Sequence, residues 1–213
     1  MRIGVVSDTH VGEHLDALPP EVLELLDGVD LILHAGDVSV PRVLDELRGI
    51  APVAAVRGNH DGGPLRRLPL DLVVPVGGVR VGLTHGARKG STELPSGLAS
   101  VAGGRPVLLG FARTMVRRFS DVDIVVTGHL HMPLDQEVDG VRLFSPGAVH
   151  VPEQIPREGG GLSGWAYRRY RGGLSEDDRR AAIGFIELGP TGLTTRRVVL
   201  RRPIVATRRR RTR

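Results

Sequence analysis

Met1-Arg2-Ile3-Gly4-Val5-Val6-Ser7-Asp8-Thr9-His10 opens the chain, and its pattern sets the frame for the rest. Ile3–Val6 is an apolar run that stops at Ser7-Asp8-Thr9-His10, as a buried strand ending in a polar turn would. The same pattern recurs twice. Leu31–Ala35 ends in Gly36-Asp37, and Val53–Val56 leads into Gly58-Asn59-His60-Asp61. Between the runs lie helical spacings. Pro19-Pro20 introduces Glu21–Leu26, and Pro is favoured at a helix start. Ser39 is placed to cap a helix beginning near Pro41, with Val43, Leu44 and Leu47 on one face. Strand, helix, strand, helix, strand predicts a largely parallel, buried arrangement.

Hairpins follow. Asp71–Val76 and Val79–Thr84 flank Gly77-Gly78, and Gln136–Val138 and Val141–Phe144 flank Asp139-Gly140. A third joins Ile183–Leu188 to Leu193–Leu200 through Gly189-Pro190-Thr191-Gly192. Phe111–Phe119 reads as a helix and Asp123–Thr127 as a strand, whereas Arg88–Gly110, rich in Gly, Ser and Pro, reads as an irregular connection. The fold class is α/β, a two-sheet β-sandwich flanked by helices. Residues 1–200 form one expected domain, with insertions near 87–119 and 155–178. Long irregular segments often act as lids, so at least one is expected near the functional centre, restricting the substrate.

Composition narrows the classes. With 213 residues the chain can bury a sizeable core, which Val, Leu, Ile and Ala must fill because aromatics are only 3%. The absence of cysteine excludes disulfides, thiolate metal sites and cysteine nucleophiles, and suits a reducing compartment. The first apolar run is too short for a signal-peptide core and no run could span a bilayer, so a cytoplasmic protein with no membrane partner is expected. A pI near 10.7 suggests a polyanion partner, but the charge is localised. Arg201–Arg213 holds seven arginines and no acids, so removing them from the net +5 leaves −2 for the remainder. That basic tail is expected to be disordered and solvated.

Ligand-type residues gather where the predicted strands end: Asp8 and His10, Asp37, Asn59 with His60 and Asp61, His85, then His129 and His131 in Gly128-His129-Leu130-His131. Ligand sites in α/β sheets collect at strand carboxyl ends. Residues i and i+2 of an extended chain share a face, so each Asp-x-His or His-x-His pair can reach one centre or two adjacent ones. Imidazole with carboxylate and amide oxygen suits Mn, Fe, Zn or Ni. Seven of these as ligands (Asp8, His10, Asp37, Asn59, His85, His129 and His131) are too many for one tetrahedral site but suit two metals sharing a carboxylate. His14, His34 and His150 read as bystanders, with buried His34 as a lesser candidate for supporting Asp37.

The ordered set resembles the calcineurin-like metallophosphoesterases, whose signature runs Asp-x-His, Gly-Asp, Gly-Asn-His-Asp/Glu, a later His, then Gly-His-x-His. Every element is present between Asp8 and His131. Ser145-Pro146-Gly147 is similar to the Asn-Pro-Gly of small bacterial YfcE-like phosphodiesterases, the group the short chain looks most like. The resemblance implies that Asp8, His10 and His131 hold a first metal, that Asn59, His85 and His129 hold a second, and that Asp37 bridges them. Manganese is the first expectation, with iron, zinc or nickel as alternatives. It implies a phosphoesterase, a phosphodiesterase first, in which a bridging hydroxide attacks phosphorus in line and His60 serves the leaving oxygen. Asp61 would orient His60. Arg57 could touch substrate phosphate, although a structural role is the stronger expectation.

The expected substrate is a small phosphoester. A nuclease with the same centre is the alternative, drawing on the basic tail and on Trp165-Ala166-Tyr167-Arg168-Arg169-Tyr170-Arg171. A non-catalytic scaffold, as in the retromer subunit of this fold, is the second alternative, and intact ligands argue against it. Amidohydrolases typically open with His-x-His, and neither a P-loop nor a Rossmann glycine fingerprint is present. The oligomeric state is left open, a dimer included.

Overall fold

The computed structural model describes residues 1–88, 90–150, 169–190 and 192–201. Trp165, Tyr167, most of the predicted 155–178 insertion and the tail beyond Arg201 lie outside them. The first half follows the expected alternation: β1 (Arg2–Val6), α1 (Pro20–Leu26), β2 (Leu31–His34), α2 (Arg42–Arg48) and β3 (Val53–Ala55). Then come β4 (Asp71–Val76), β5 (Val79–Thr84), α3 (Gly90–Gly103), α4 (Phe111–Val116), β6 (Ile124–Val126), β7 (Pro133–Val138), β8 (Val141–Pro146), β9 (Ala182–Gly189) and β10 (Gly192–Val199).

Among the described residues, ten strands make two five-stranded sheets, ordered β10-β9-β1-β2-β3 and β4-β5-β6-β8-β7. β1, β2 and β3 pair in parallel, in register Val5 to Leu33 and Leu33 to Ala54. β5, β6 and β8 are the parallel centre of the second sheet, with β4 and β7 as antiparallel edges.

Side-chain alternation explains why the runs are apolar on both faces. Ile3, Val5, Leu33 and Ile186 of the first sheet meet Val81, Leu83, Ile124, Val126 and Phe144 of the second. Val6 and Ile32 face the other way, onto Val22 and Leu26 of α1 and Val43, Leu44 and Leu47 of α2. Val125 and Leu143 carry Phe111, Met115 and Val116 of α4 on the opposite outer face. Each large aliphatic side chain fully buried this way contributes about 1.5–3 kcal/mol. The result is a helix–sheet–sheet–helix sandwich, as expected.

Two local expectations fail. Ser39 does not cap α2: Pro41 takes the cap position without a side-chain bond, and Ser39 sits at φ +66° with its amide donating to Asp61 Oδ1 at 2.8 Å. The Arg88–Gly110 connection contains α3 despite Pro95 and its glycines. Local side-chain bonds fasten its ends, Ser100 Oγ accepting from the Val107 amide at 2.9 Å and Glu93 from the Arg88 amide at 2.6 Å, and Glu93 also reaches His129 Nε2 at 3.0 Å across the fold.

Candidate metal centre

Every candidate ligand stands just past a strand. Asp8 and His10 follow β1, Asp37 follows β2, Asn59 follows β3, His85 follows β5, and His129 and His131 follow β6. The two sheets therefore bring loops distant in sequence to one rim. Backbone bonds lock them together: the Asp8 amide donates to Gly36 O at 3.1 Å, and the His10 amide to Asp37 O at 3.2 Å.

The backbone there is strained. Asp8, His10, Asp37, His129 and His131 have φ between +46° and +69°, the left-handed region that L side chains seldom occupy. Such residues cost of order 1 kcal/mol or more each, persist only where surroundings over-determine them, and cluster at functional sites. Motif glycines permit the crowding. A Cβ on Gly58 would fall on the Asp37 carboxylate, and one on Gly128 would fall on Ser7 Oγ and near Asp8 Oδ2.

Asp8, His10, Asp37 and His131 can each offer a ligand atom within 4.8 Å of the others. Asp37 Oδ2 lies 3.6 Å from His10 Nε2 and 3.3 Å from His85 Nε2. His85 Nε2 is also 3.0 Å from Asn59 Oδ1, and its ring centroid is 5.1 Å from that of His129. The candidates thus form one cluster that meets at Asp37.

Three rings have one nitrogen tied, leaving the other as a donor. His10 Nδ1 is 2.9 Å from Glu13 Oε2, His85 Nδ1 is 2.8 Å from Ala35 O, and His129 Nε2 is 3.0 Å from Glu93 Oε1. Tethers of this kind fix the tautomer and orientation of metal-binding histidines. The donor set of imidazole, carboxylate and amide oxygen fits divalent metal ions.

Charge follows the packing. Burial alone would push the Asp8 carboxyl up, but His131, His85 and His10 around it win and hold it well below the usual range. Burial likewise opposes Asp37, yet the His85 contact keeps it low. Burial would lower His85, and contact with Asp37 and the charge of Asp8 lift it instead to about 9. His131 is lowered by its burial despite Asp8.

His60 lies beside this cluster. Its ring centroid is 4.8 Å from that of His10, its Nδ1 is 3.2 Å from Glu13 Oε2, and its side chain is 45% exposed. The expected partner is wrong. Asp61 does not orient the His60 ring; its carboxylate accepts from the amides of Asp37, Ser39 and Gly58, pinning the loops instead. Arg57 lines a cavity next to Asn59 and His85, and its Nη1 donates to Arg66 O.

Glu13 and Glu93 were not singled out by sequence, because their partners come from other loops; for Glu13, the His10 spacing of three was the sole local signal. Nor are the three remaining histidines remote. His14 stacks on His150 at 4.5 Å, His150 lies 5.6 Å from His10, and His34 accepts from the Gly36 amide while its Nε2 is 3.3 Å from Thr9 Oγ1. From the predicted 87–119 segment, Glu93 of α3 reaches His129; among the described residues of the 155–178 segment, Tyr170 donates to the backbone oxygen of Leu130 at 3.1 Å.

Comparison with known proteins agrees with this geometry. Residues 1–161 match the calcineurin-like phosphoesterase superfamily domain. A probable metallophosphoesterase of Methanothermobacter thermautotrophicus is 33% identical over 154 residues, 71% of this chain and 79% of its own. A phosphodiesterase of Methanocaldococcus jannaschii is 26% identical over 164 residues, 69% and 83% of the two chains. The fold is that of Entamoeba histolytica Vps29 complexed with zinc (TM-score 0.56, 22% identity, 93% of this chain and 99% of that one). Loop order, strand-end placement and sequence match converge, and the chain belongs to the calcineurin-like phosphoesterase superfamily.

Proposed function

We propose that this protein is a phosphoesterase that holds two divalent metal ions and hydrolyses phosphodiesters of modest size. One observation carries the reading: Asp37 Oδ2 lies 3.6 Å from His10 Nε2 and 3.3 Å from His85 Nε2, so one carboxylate is within reach of both halves of the cluster. Asp8, His10 and His131 would hold one ion and Asn59, His85 and His129 the other, with Asp37 available to both. Manganese is the first expectation, ahead of iron, zinc and nickel; the zinc complex of the Vps29 neighbour supports a divalent ion in this fold.

Two such ions supply an activated water for in-line attack and neutralise charge on the phosphoryl oxygens. The chain does the rest. Glu13 would orient the His60 ring through Nδ1–H, and in its imidazolium form His60 would give the Nε2 proton to the departing alkoxide and be left neutral. Asp61 fixes the Asn59–His60 loop against Asp37. The diester preference draws on the phosphodiesterase relative. The cysteine-free composition suits work in the reducing cytoplasm.

The test is hydrolysis of bis-p-nitrophenyl phosphate with and without Mn²⁺, beside Asp37→Asn and His129→Ala. Metal-dependent release of nitrophenol by wild type, reduced at least about 100-fold in both variants, is expected. Absence of turnover with any divalent metal would leave a scaffold of the same fold.

A further inference from the structure

A cavity of about 410 Å³ adjoins the cluster, a size suited to a small ligand. Asn59 and His85 form the part of its wall shared with the metal ligands, and Arg57, Arg66 and Arg118 line it as well. Three guanidiniums around one small cavity repel each other, and the acids nearby do little to offset them. Asp61 lines the cavity but gives its carboxylate to three backbone amides. Asp71 stands 3.4 Å from Arg118 and is 42% exposed.

Arg57 and Arg118 are placed mainly by neutral acceptors, and the half-exposed Asp71 carboxylate, accepting from Arg118 Nη1 at 3.4 Å, is the one charged partner among the described residues. Arg57 Nη1 donates to Arg66 O at 3.2 Å. Arg118 donates from Nη1 to Thr84 Oγ1 at 3.1 Å and from Nη2 to Ala87 O at 2.9 Å. Carbonyl and hydroxyl oxygens orient a guanidinium without cancelling its charge. Arg66 is exposed, and its side chain has no bond or ion-pair partner among the described residues. The cavity therefore presents two held guanidiniums and one free one beside the reacting centre. Guanidinium forks match phosphate oxygens in geometry as well as charge.

We propose that this cavity is a subsite for a terminal phosphate carried on one alcohol of the scissile diester. A terminal phosphate carries between one and two negative charges near neutrality and three acceptor oxygens, which three arginines can engage together. The substrate class is then a phosphodiester bearing a second, monoester phosphate. This rests on the phosphodiesterase reading of the metal centre.

Two chromogenic substrates separate the two ideas: p-nitrophenyl thymidine 5′-phosphate and its 3′-phosphorylated counterpart, which differ only in the extra phosphate. With the Mn²⁺-loaded chain, the ratio of their kcat/KM values is expected to be about tenfold or more in favour of the phosphorylated substrate, about what one charge-assisted hydrogen bond supplies. Arg66→Ala and Arg57→Ala are each expected to bring the ratio towards one. Because both rates are read on one preparation, loss of folded protein cancels. Turnover of both substrates at a wild-type ratio near one overturns the subsite and leaves the phosphodiesterase reading intact. Should neither be turned over, that reading fails, and calorimetry on the metal-free chain decides the subsite. Tighter binding of thymidine 3′,5′-bisphosphate than of thymidine 5′-phosphate, lost in Arg66→Ala, supports it; equal binding overturns it.

Discussion

Asp37 is asked to do more than any other side chain in the molecule. It is buried, in a left-handed backbone conformation, and within reach of histidines from two sheets. In the metal-free chain His85 shares this carboxylate and is lifted to about 9, so near neutrality it carries a proton that a metal ion must displace. The sign follows: apparent metal affinity should rise as pH increases towards 9, with protons released on binding. Calorimetric titration of Mn²⁺ in buffers of different ionisation enthalpy counts those protons, and a proton count near zero at pH 7 would contradict the assignment. Glu13 is the other residue of consequence. Its Oε2 lies 2.9 Å from His10 Nδ1 and 3.2 Å from His60 Nδ1, so one carboxylate orients a metal ligand and the proposed proton donor. Glu13→Gln should lower metal affinity or turnover about 10- to 100-fold, the usual cost of losing such a partner. Unchanged Mn²⁺ affinity and unchanged kcat together would remove Glu13 from the site. The strand-end ligands were legible in the sequence because their spacing is local. Glu13 and Glu93 were not, since what defines them is who they meet across the fold.

At the scale of elements, apolar runs proved the surest guide. β4 and β5 lie over Asp71–Val76 and Val79–Thr84 as expected, because a Gly-Gly turn and alternation on both sides leave one register. β7 begins at Pro133, earlier than the Gln136 expected, because edge pairing with β8 tolerates proline and the polar residues Asp135 and Gln136. α3 was illegible. Its glycines and Pro95 lower helix propensity, and side-chain bonds at its ends from Ser100 and Glu93, with the long-range Glu93–His129 contact, offset that deficit. The helix matters for function, because Glu93 ties His129 Nε2 at 3.0 Å and leaves Nδ1 as the remaining donor. Glu93→Ala should weaken metal binding by about 10- to 100-fold without a matching loss of thermal stability. Melting curves and Mn²⁺ titrations on the same variant check this, and full metal affinity would show that α3 is incidental to the centre.

For the whole molecule, the sandwich supplies rigidity that keeps strained loops and buried polar groups in place. The layer order was legible from the alternation of runs; the proximity of His14 and His150 to His10 was not, because it depends on how the loops after β1 and β8 fold back. Burial also makes the molecule acid-sensitive. It lowers His34 to about 4 and His150 to about 2, against about 6.5 for an exposed histidine. Between about 4 and 6.5 the unfolded chain binds more protons than the folded one, so stability falls as pH drops through that window and is fully present above it. His34→Asn should flatten the fall in melting temperature between pH 6.5 and 4, with the metal-free protein measured; an unaltered slope would show that other groups govern acid unfolding.

The central claim is a pair of metal ions on either side of one carboxylate. Anomalous scattering from crystals of the full chain grown with Mn²⁺ addresses it directly. Two peaks roughly 3.5–4 Å apart, one towards His10 and His131 and one towards His85 and Asn59, with Asp37 between them, are the expected result. A single peak, or two peaks that Asp37 does not join, would contradict the account.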